Sequence, residues 1–458
     1  MRLPVLIAAA MLAGLASGAP SLAEPSRAAD LRETGDALVG RGDLAGGRRA
    51  YEQALAIDRR AASVSPASDD AQAGVAADLV RLGETRSRQR DFDGAVRVLE
   101  EAAAADERLA ATTPARQQDF AVALAALADA RIAQGDLDGA RGAVEDEVAA
   151  LRRLAAADQA STGAKRALVA GLTELARLGV SQSDLPTARA AYDEAVALGR
   201  TLAVADPSAA AGLTAALQGR GDVLVSEGDF AAAGTDYAEA LDVARAASAA
   251  SPGSVEAARD AALAQQRVGD LRSARGDLPG ALADYRAAMD ALGRLASADP
   301  TSTEAGRGLA LAQSRLGDRL LAAGDAAGAR QAFEAFVGTM RAQGAAHDLA
   351  AGLGKLSGAL AAQGELAAAE DAAREALAIS RRLAAAGPDS PNAEGDLATA
   401  LTRLGDLRLA EHDPAGARSA YLEALAVERS MARSRPGAVL LARQIADLAA
   451  KLEATPAR

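Results

Sequence analysis

One pattern, repeated along nearly the whole chain, limits what this sequence can fold into. A small residue is followed seven positions later by a two-residue turn signal, most often Gly-Asp. Five and nine positions after the turn come an alanine and a large apolar residue. The stretch from Gly269 to Pro300 shows the unit whole: Gly269, then Gly276-Asp277, then Ala281, Tyr285 and Ala288, closed by Asp299-Pro300. Gly276 suits the left-handed position that ends one helix, and Asp277 can cap the helix that follows. Pro279 then falls in a first helical turn, where its missing N–H does little harm. Gly269 lies inside the preceding helix, so its role is close packing. One such hairpin cannot bury its own apolar face, so the number of copies decides the architecture.

The turn signal recurs at Gly42-Asp43, Arg90-Asp91, Gly135-Asp136, Ser183-Asp184, Gly228-Asp229, Gly276-Asp277, Gly324-Asp325, Gly364-Glu365 and His412-Asp413. Successive copies are 48 or 45 residues apart, with a single spacing of 40. The packing position holds Gly35, Gly83, Ala128, Ala176, Gly221, Gly269, Gly317, Ser357 and Gly405. Every tyrosine (Tyr51, Tyr192, Tyr237, Tyr285, Tyr421) occupies the large slot nine residues after a turn, which commits these rings to packing within their own repeat. The offsets of 5, 9 and 12 keep the apolar residues near one helix face. Apolar residues make up 50 % of the chain but aromatics only 2 %, so alanine carries the apolar fraction and favours helices in close contact.

The order of small residue, turn, Ala, aromatic and Ala resembles the tetratricopeptide repeat, and the resemblance covers the chain from residue 24 onward. The longer period adds about two turns to each helix, similar in kind to kinesin light chain repeats. The resemblance implies an all-α fold, a right-handed α-solenoid of nine helix-turn-helix units, with Val439 to Leu452 as a C-terminal capping helix. The expected organisation is a signal peptide over 1–23, the solenoid over 24–436, and a cap and tail over 437–458. The stretch 338–358, where the period shortens to 40, is read either as a bend or as a harmless deletion.

Arg2, the apolar run from Leu3 to Gly18 and the small residues at Ser21 and Ala23 together fit an export signal cleaved after Ala23. An uncleaved anchor is the competing reading. The absence of cysteine excludes disulfides, thiol catalysis and thiolate metal sites. A net charge of −12 argues against nucleic acid as a main partner.

No motif for catalysis, a cofactor or a metal stands out. His347 and His412 read as a loop and a turn histidine, without a second ligand at metal spacing. Asp91/Asp93 and Asp136/Asp138 resemble parts of calcium loops, but helix capping explains the first of each pair. Glu145, Asp146 and Glu147 read as a solvated helix face, and Phe92 and Phe230 as core.

What remains is a surface. The residue after the packing position is usually acidic, as at Asp222, Asp270, Asp318 and Asp406, and three residues before it stand Arg267, Arg315 and Arg403. The family resemblance implies that the acidic position faces the concave groove. Two readings fit: a ladder of salt bridges between neighbouring first helices, or a charged groove for a peptide, with Arg267/Asp270, Arg315/Asp318 and Arg403/Asp406 as i,i+3 pairs. Arg267 and Asp270 are the residues that the repeat itself leaves unused. The expected function is a non-catalytic scaffold or adaptor binding a protein or peptide in a bacterial envelope. The alternative is a regulatory or substrate-presenting subunit of an envelope enzyme or export complex.

Overall fold

The computed structural model describes residues 24–386, 391–434 and 439–456. The export signal and its cleavage point lie outside these residues, as do Pro388 and Pro436. The chain divides into two compact units, Met1–Asp236 and Tyr237–Arg458.

In the first unit, hairpins pair α1 (Glu24–Gly40) with α2 (Leu44–Val64), and α3 (Asp69–Arg88) with α4 (Phe92–Thr112). They continue with α5 (Gln117–Gln134) and α6 (Leu137–Ala157), then α7 (Thr162–Ser181) and α8 (Leu185–Ala205). α9 (Ala210–Ser226) leads into α10 (Phe230–Ala250), within which the division falls. In the second unit, α11 (Val255–Ala274) pairs with α12 (Leu278–Ala298), and α13 (Thr303–Ala322) with α14 (Ala326–Gln343). α15 (Ala346–Ala362) pairs with α16 (Leu366–Ala386), and α17 (Pro391–Ala410) with α18 (Pro414–Ser434). α19 (Val439–Ala454) packs on α18, and its Leu448 and Leu452 join the core of the second unit.

The turn chemistry read from the sequence is the chemistry observed. All nine turn residues sit at positive φ, from 62° at Ser183 to 91° at Gly135. At Gly276 the N–H of Asp277 bonds to the carbonyl of Arg272 at 2.9 Å and that of Gly276 to Ser273 at 3.0 Å, the double bond that closes a helix end. The Asp277 carboxylate then accepts from the Gly280 N–H at 3.0 Å. Arg90, Ser183 and His412 hold the left-handed conformation without being glycine. An L side chain there costs about 1–2 kcal/mol, partly offset in glycine by its greater loss of chain entropy. Arg90→Gly, Ser183→Gly and His412→Gly should therefore each raise stability by about 0.5–1 kcal/mol in denaturant titrations, and a loss would contradict this account of the turns.

Alanine permits the close approach of the helices in each hairpin: Ala95, Ala140, Ala188, Ala281, Ala329, Ala369 and Ala417 are all fully buried. First helices of successive hairpins also touch, α3 with α5 and α7 with α9 in the first unit, and α11, α13, α15 and α17 in sequence in the second. They form the inner layer of each stack. The short period removes about one turn from each of α14 and α15, which are joined at Gly344 and Ala345 by a left-handed turn. Phe336 and Met340 are buried there, with Gly352 against the Phe336 ring, and the 338–358 stretch lies inside the second unit.

Candidate partner-binding groove

The packing glycine determines where the tyrosine hydroxyl emerges. A Cβ on Gly35 would lie 2.4 Å from the Tyr51 ring, and one on Gly405 would lie 2.4 Å from the Tyr421 ring. Each ring thus lies flat across the first helix, and its hydroxyl exits beside the residue after the glycine. Tyr51 donates to Asp36 at 2.6 Å, Tyr421 to Asp406 at 2.6 Å, and Tyr285 to Asp270. Burial and the adjacent carboxylate both push these hydroxyls above the ordinary tyrosine range, so they remain donors at any ordinary pH.

The same acids reach a cation on the next first helix. Asp36 pairs with Arg81 at 3.4 Å, Asp270 with Arg319 at 2.8 Å, Asp318 with Lys355 at 2.5 Å, and Asp406 with Lys451 of the cap. Arg319, Lys355 and Lys451 also lie 5.6 to 5.9 Å above the Tyr285, Phe333 and Tyr421 rings. The acid row is therefore a ladder that couples successive hairpins.

This corrects two expectations. Asp270 is in use, held by Tyr285 and Arg319. The i,i+3 pairs Arg315/Asp318 and Arg403/Asp406 do not form, because each acid turns to the following hairpin. Arg315 instead donates to Gln266, and Arg403 lies across Gly354, where a Cβ would meet its guanidinium at 1.8 Å. Both arginines are half-buried without an ion pair among the described residues, and burial holds both below the ordinary arginine range. Arg267 and Asp222 are half-buried on the corresponding faces of α11 and α9, and both are engaged with neighbours.

In the first unit the corresponding surface is acidic. Partial desolvation raises Glu84 and Asp129, although both side chains are exposed, and burial raises Glu147 to about 7, with Asp129 and Glu174 adding repulsion. Glu147 is therefore not on a solvated face, although Glu145 is exposed and pairs with Arg141 at 2.9 Å.

Other residues also differ from expectation. Phe92 is half-buried and Phe230 is 40 % exposed, so neither is a core residue. His347 begins α15 with Nδ1 2.6 Å from an Asp396 carboxylate oxygen, a partner too distant in sequence to foresee. Tyr192 reaches Gly219 of the following hairpin, since Ala176 replaces the glycine that would have received its ring. Asp91 and Asp136 cap helices, while Asp93 and Asp138 accept from Gln134 and Gln182. Among the described residues, no group of three or more His, Cys, Asp or Glu side chains is placed to hold a metal. No helix among them is long and apolar enough to cross a membrane.

No family model matches the sequence, and no curated protein does. Solved structures do. The apo form of RapI is 10 % identical at a TM-score of 0.50, over 89 % of this chain and 98 % of that one. A signal-transduction ATPase of the STAND class with a tetratricopeptide repeat sensor, from Pyrococcus horikoshii, is 13 % identical at 0.47, over 88 % of this chain and 55 % of its own length. A putative kinesin light chain with TPR-like repeats from Podosopora anserina is 21 % identical at 0.37, over 51 % of this chain and all of that one, 100 %. Taken with the repeat and the hairpins it builds, the RapI likeness gives this chain the tetratricopeptide-type fold, an all-α solenoid.

Proposed function

We propose that the protein is a non-catalytic scaffold that binds a protein partner along the first-helix row, and that it does so in a bacterial envelope after export and removal of residues 1–23. The observation that carries the binding reading is the pair Arg315 and Arg403. Among the described residues these two half-buried guanidinium groups make no ion pair, whereas the neighbouring acids Asp270, Asp318 and Asp406 each pair with a cation of the next hairpin. A partly desolvated cation without an ion pair costs stability, and a partner's carboxylate would offset that cost. Arg267, Asp270, Asp318 and Asp406 border the same row in the second unit, and Asp222 occupies the matching position in the first. The export reading rests on the sequence of residues 1–23 alone.

The test uses the full chain, tagged at its C-terminus and expressed in its own host, with affinity capture from the envelope fraction. Arg315→Gln with Arg403→Gln should lower partner recovery roughly tenfold, the equivalent of about one lost charge-assisted contact. Unchanged recovery would remove the groove from the account. Asp270→Lys is a poor probe, because it also breaks the Tyr285 bond and repels Arg319.

A further inference from the structure

A second row of ion pairs joins the second helices, and the sequence breaks it at three steps, Glu107/Asp146, Arg245/Ala287 and Gly293/Ala335, of which only the second leaves an arginine facing no acid. Arg59 pairs with Glu101 at 2.5 Å, Arg152 with Glu194 at 2.5 Å, Arg341 with Glu375 at 2.7 Å, and Arg381 with Glu423 at 2.7 Å. Each pair joins the position 17 residues after one hairpin's turn to the position 11 residues after the next. Arg245 occupies the arginine position, but the facing residue is Ala287. The loss of that acid removes both volume and charge. A cleft of about 830 Å³ opens there between α10, α11 and α12.

Two more departures from the repeat meet behind it. Gln265 stands where seven other copies carry Leu (among them Leu79, Leu172 and Leu353), and Asp284 stands where most copies carry Ala. Both are buried, at 7 % and 6 % exposure. Placing an amide and a carboxylate in a helix-packing core is unfavourable unless each finds partners, and here they form a relay. Arg272 donates to both Asp284 oxygens at 2.9 and 2.8 Å, Gln265 donates to Asp284 at 2.6 Å, and the Gln265 carbonyl accepts from Arg245. The relay fixes the Arg245 guanidinium at the cleft wall.

The remaining lining is mostly apolar, including Pro252, Val255, Ala262, Ala291 and Leu295, with Arg294 as a second cation that makes no ion pair among the described residues. The lining carboxylate, Asp299, is occupied by the N–H and hydroxyl of Thr301 at 3.0 and 2.7 Å. The volume falls in the range of small-molecule sites, which are mostly apolar with a few placed polar groups. We infer that this cleft binds a small amphipathic carboxylate, with its apolar body along the alanine wall and its carboxylate on Arg245 and Arg294. The inference is independent of the first-helix groove.

Decanoate below its micelle concentration is the probe, titrated calorimetrically into the full chain, with decanol and inorganic phosphate as the apolar and anionic halves alone. The expected result is saturable binding of one decanoate per chain, with neither half binding comparably. Ala287→Glu supplies the acid that Glu101, Glu194, Glu375 and Glu423 provide at the paired steps, so it should abolish binding while leaving the melting temperature unchanged or higher. Arg245→Gln should weaken binding roughly tenfold. Decanoate binding that survives A287E, fails to saturate, or is matched by phosphate would overturn the inference, as would no binding at all.

Discussion

Phe333→Ala is expected to destabilise the second unit by about 3–5 kcal/mol, the usual cost of emptying a fully buried phenylalanine site. Phe333 is completely buried between α13 and α14, with Tyr285, Leu316, Leu320 and Ala332 in the same cluster. Its ring lies across Gly317, where a Cβ would approach within 2.5 Å. The glycine leaves no side chain that could relax into the vacated space, and the flanking residues are mostly alanines at their closest approach. The cavity should therefore persist. Lys355 also loses the ring beneath it, 5.9 Å away, which loosens its hold on Asp318. Chemical denaturation with hydrogen exchange read on α13 and α14 would measure the loss. Phe333→Leu, which keeps most of the volume, should cost much less. Equal stability of wild type and F333A would show that this contact does not hold the hairpin together.

The second large effect is on pH. Asp78 is fully buried and Asp58 nearly so, at 7 %, and both accept from one guanidinium: Arg32 reaches Asp58 at 2.6 Å and Asp78 at 2.9 Å. In the other interfaces the Asp78 position holds Ala or Gly, as at Ala123, Gly171 and Ala216. Burial pushes Asp78 well above the ordinary carboxylate range; Arg32 opposes this and Asp58 reinforces it. Burial also raises Asp106 to about 6 and Glu147 to about 7. A carboxyl with a raised pKa holds its proton in the folded chain while the unfolded chain has released it. Its stabilising contribution is complete below about pH 4 and is lost as pH rises through the folded value. The groups with lowered values, Asp184, Asp206 and Asp299, lose theirs only below the ordinary aspartate range, outside this window. The first unit should therefore melt roughly 5–10 °C higher at pH 5 than at pH 8. Asp78→Ala should flatten the profile by raising stability at pH 8, because Arg32 and Asp58 remain paired. A melting temperature that climbs from pH 5 to pH 8 would contradict this assignment of the buried acids.

The fold was legible because its signals are local. A left-handed residue, a capping Asp and a packing glycine each act within a few positions, so Gly276, Asp277 and Gly269 could be read one at a time. Replacement of the turn glycine by Arg90, Ser183 or His412 did not hide the period, since the capping Asp beside it remained. The site was less legible because its charges act between copies. Asp318 and Lys355 are 37 residues apart, so the i,i+3 spacing from Arg315 pointed to the wrong partner. A signal was nonetheless present: Asp36, Asp270 and Asp406 each precede a tyrosine by 15 residues, the offset of the hydroxyl contact. The cleft beside Arg245 was also written in the sequence, as Gln265, Asp284 and Ala287 breaking three repeat positions. Only their convergence in space marks them as one site.

The central claim is a division of labour: charges on first helices that find a partner in the next hairpin hold the stack together, and those that do not are available for binding. Arg319→Gln and the Arg315→Gln/Arg403→Gln pair separate the two roles when melting and partner capture are measured on the same preparations. R319Q should lower the stability of the second unit by about 0.5–1 kcal/mol and leave capture intact. The double variant should leave the melt unchanged or slightly higher and lose most of the captured partner. Loss of capture in R319Q at an unchanged melt, or full capture by the double variant, would contradict the division.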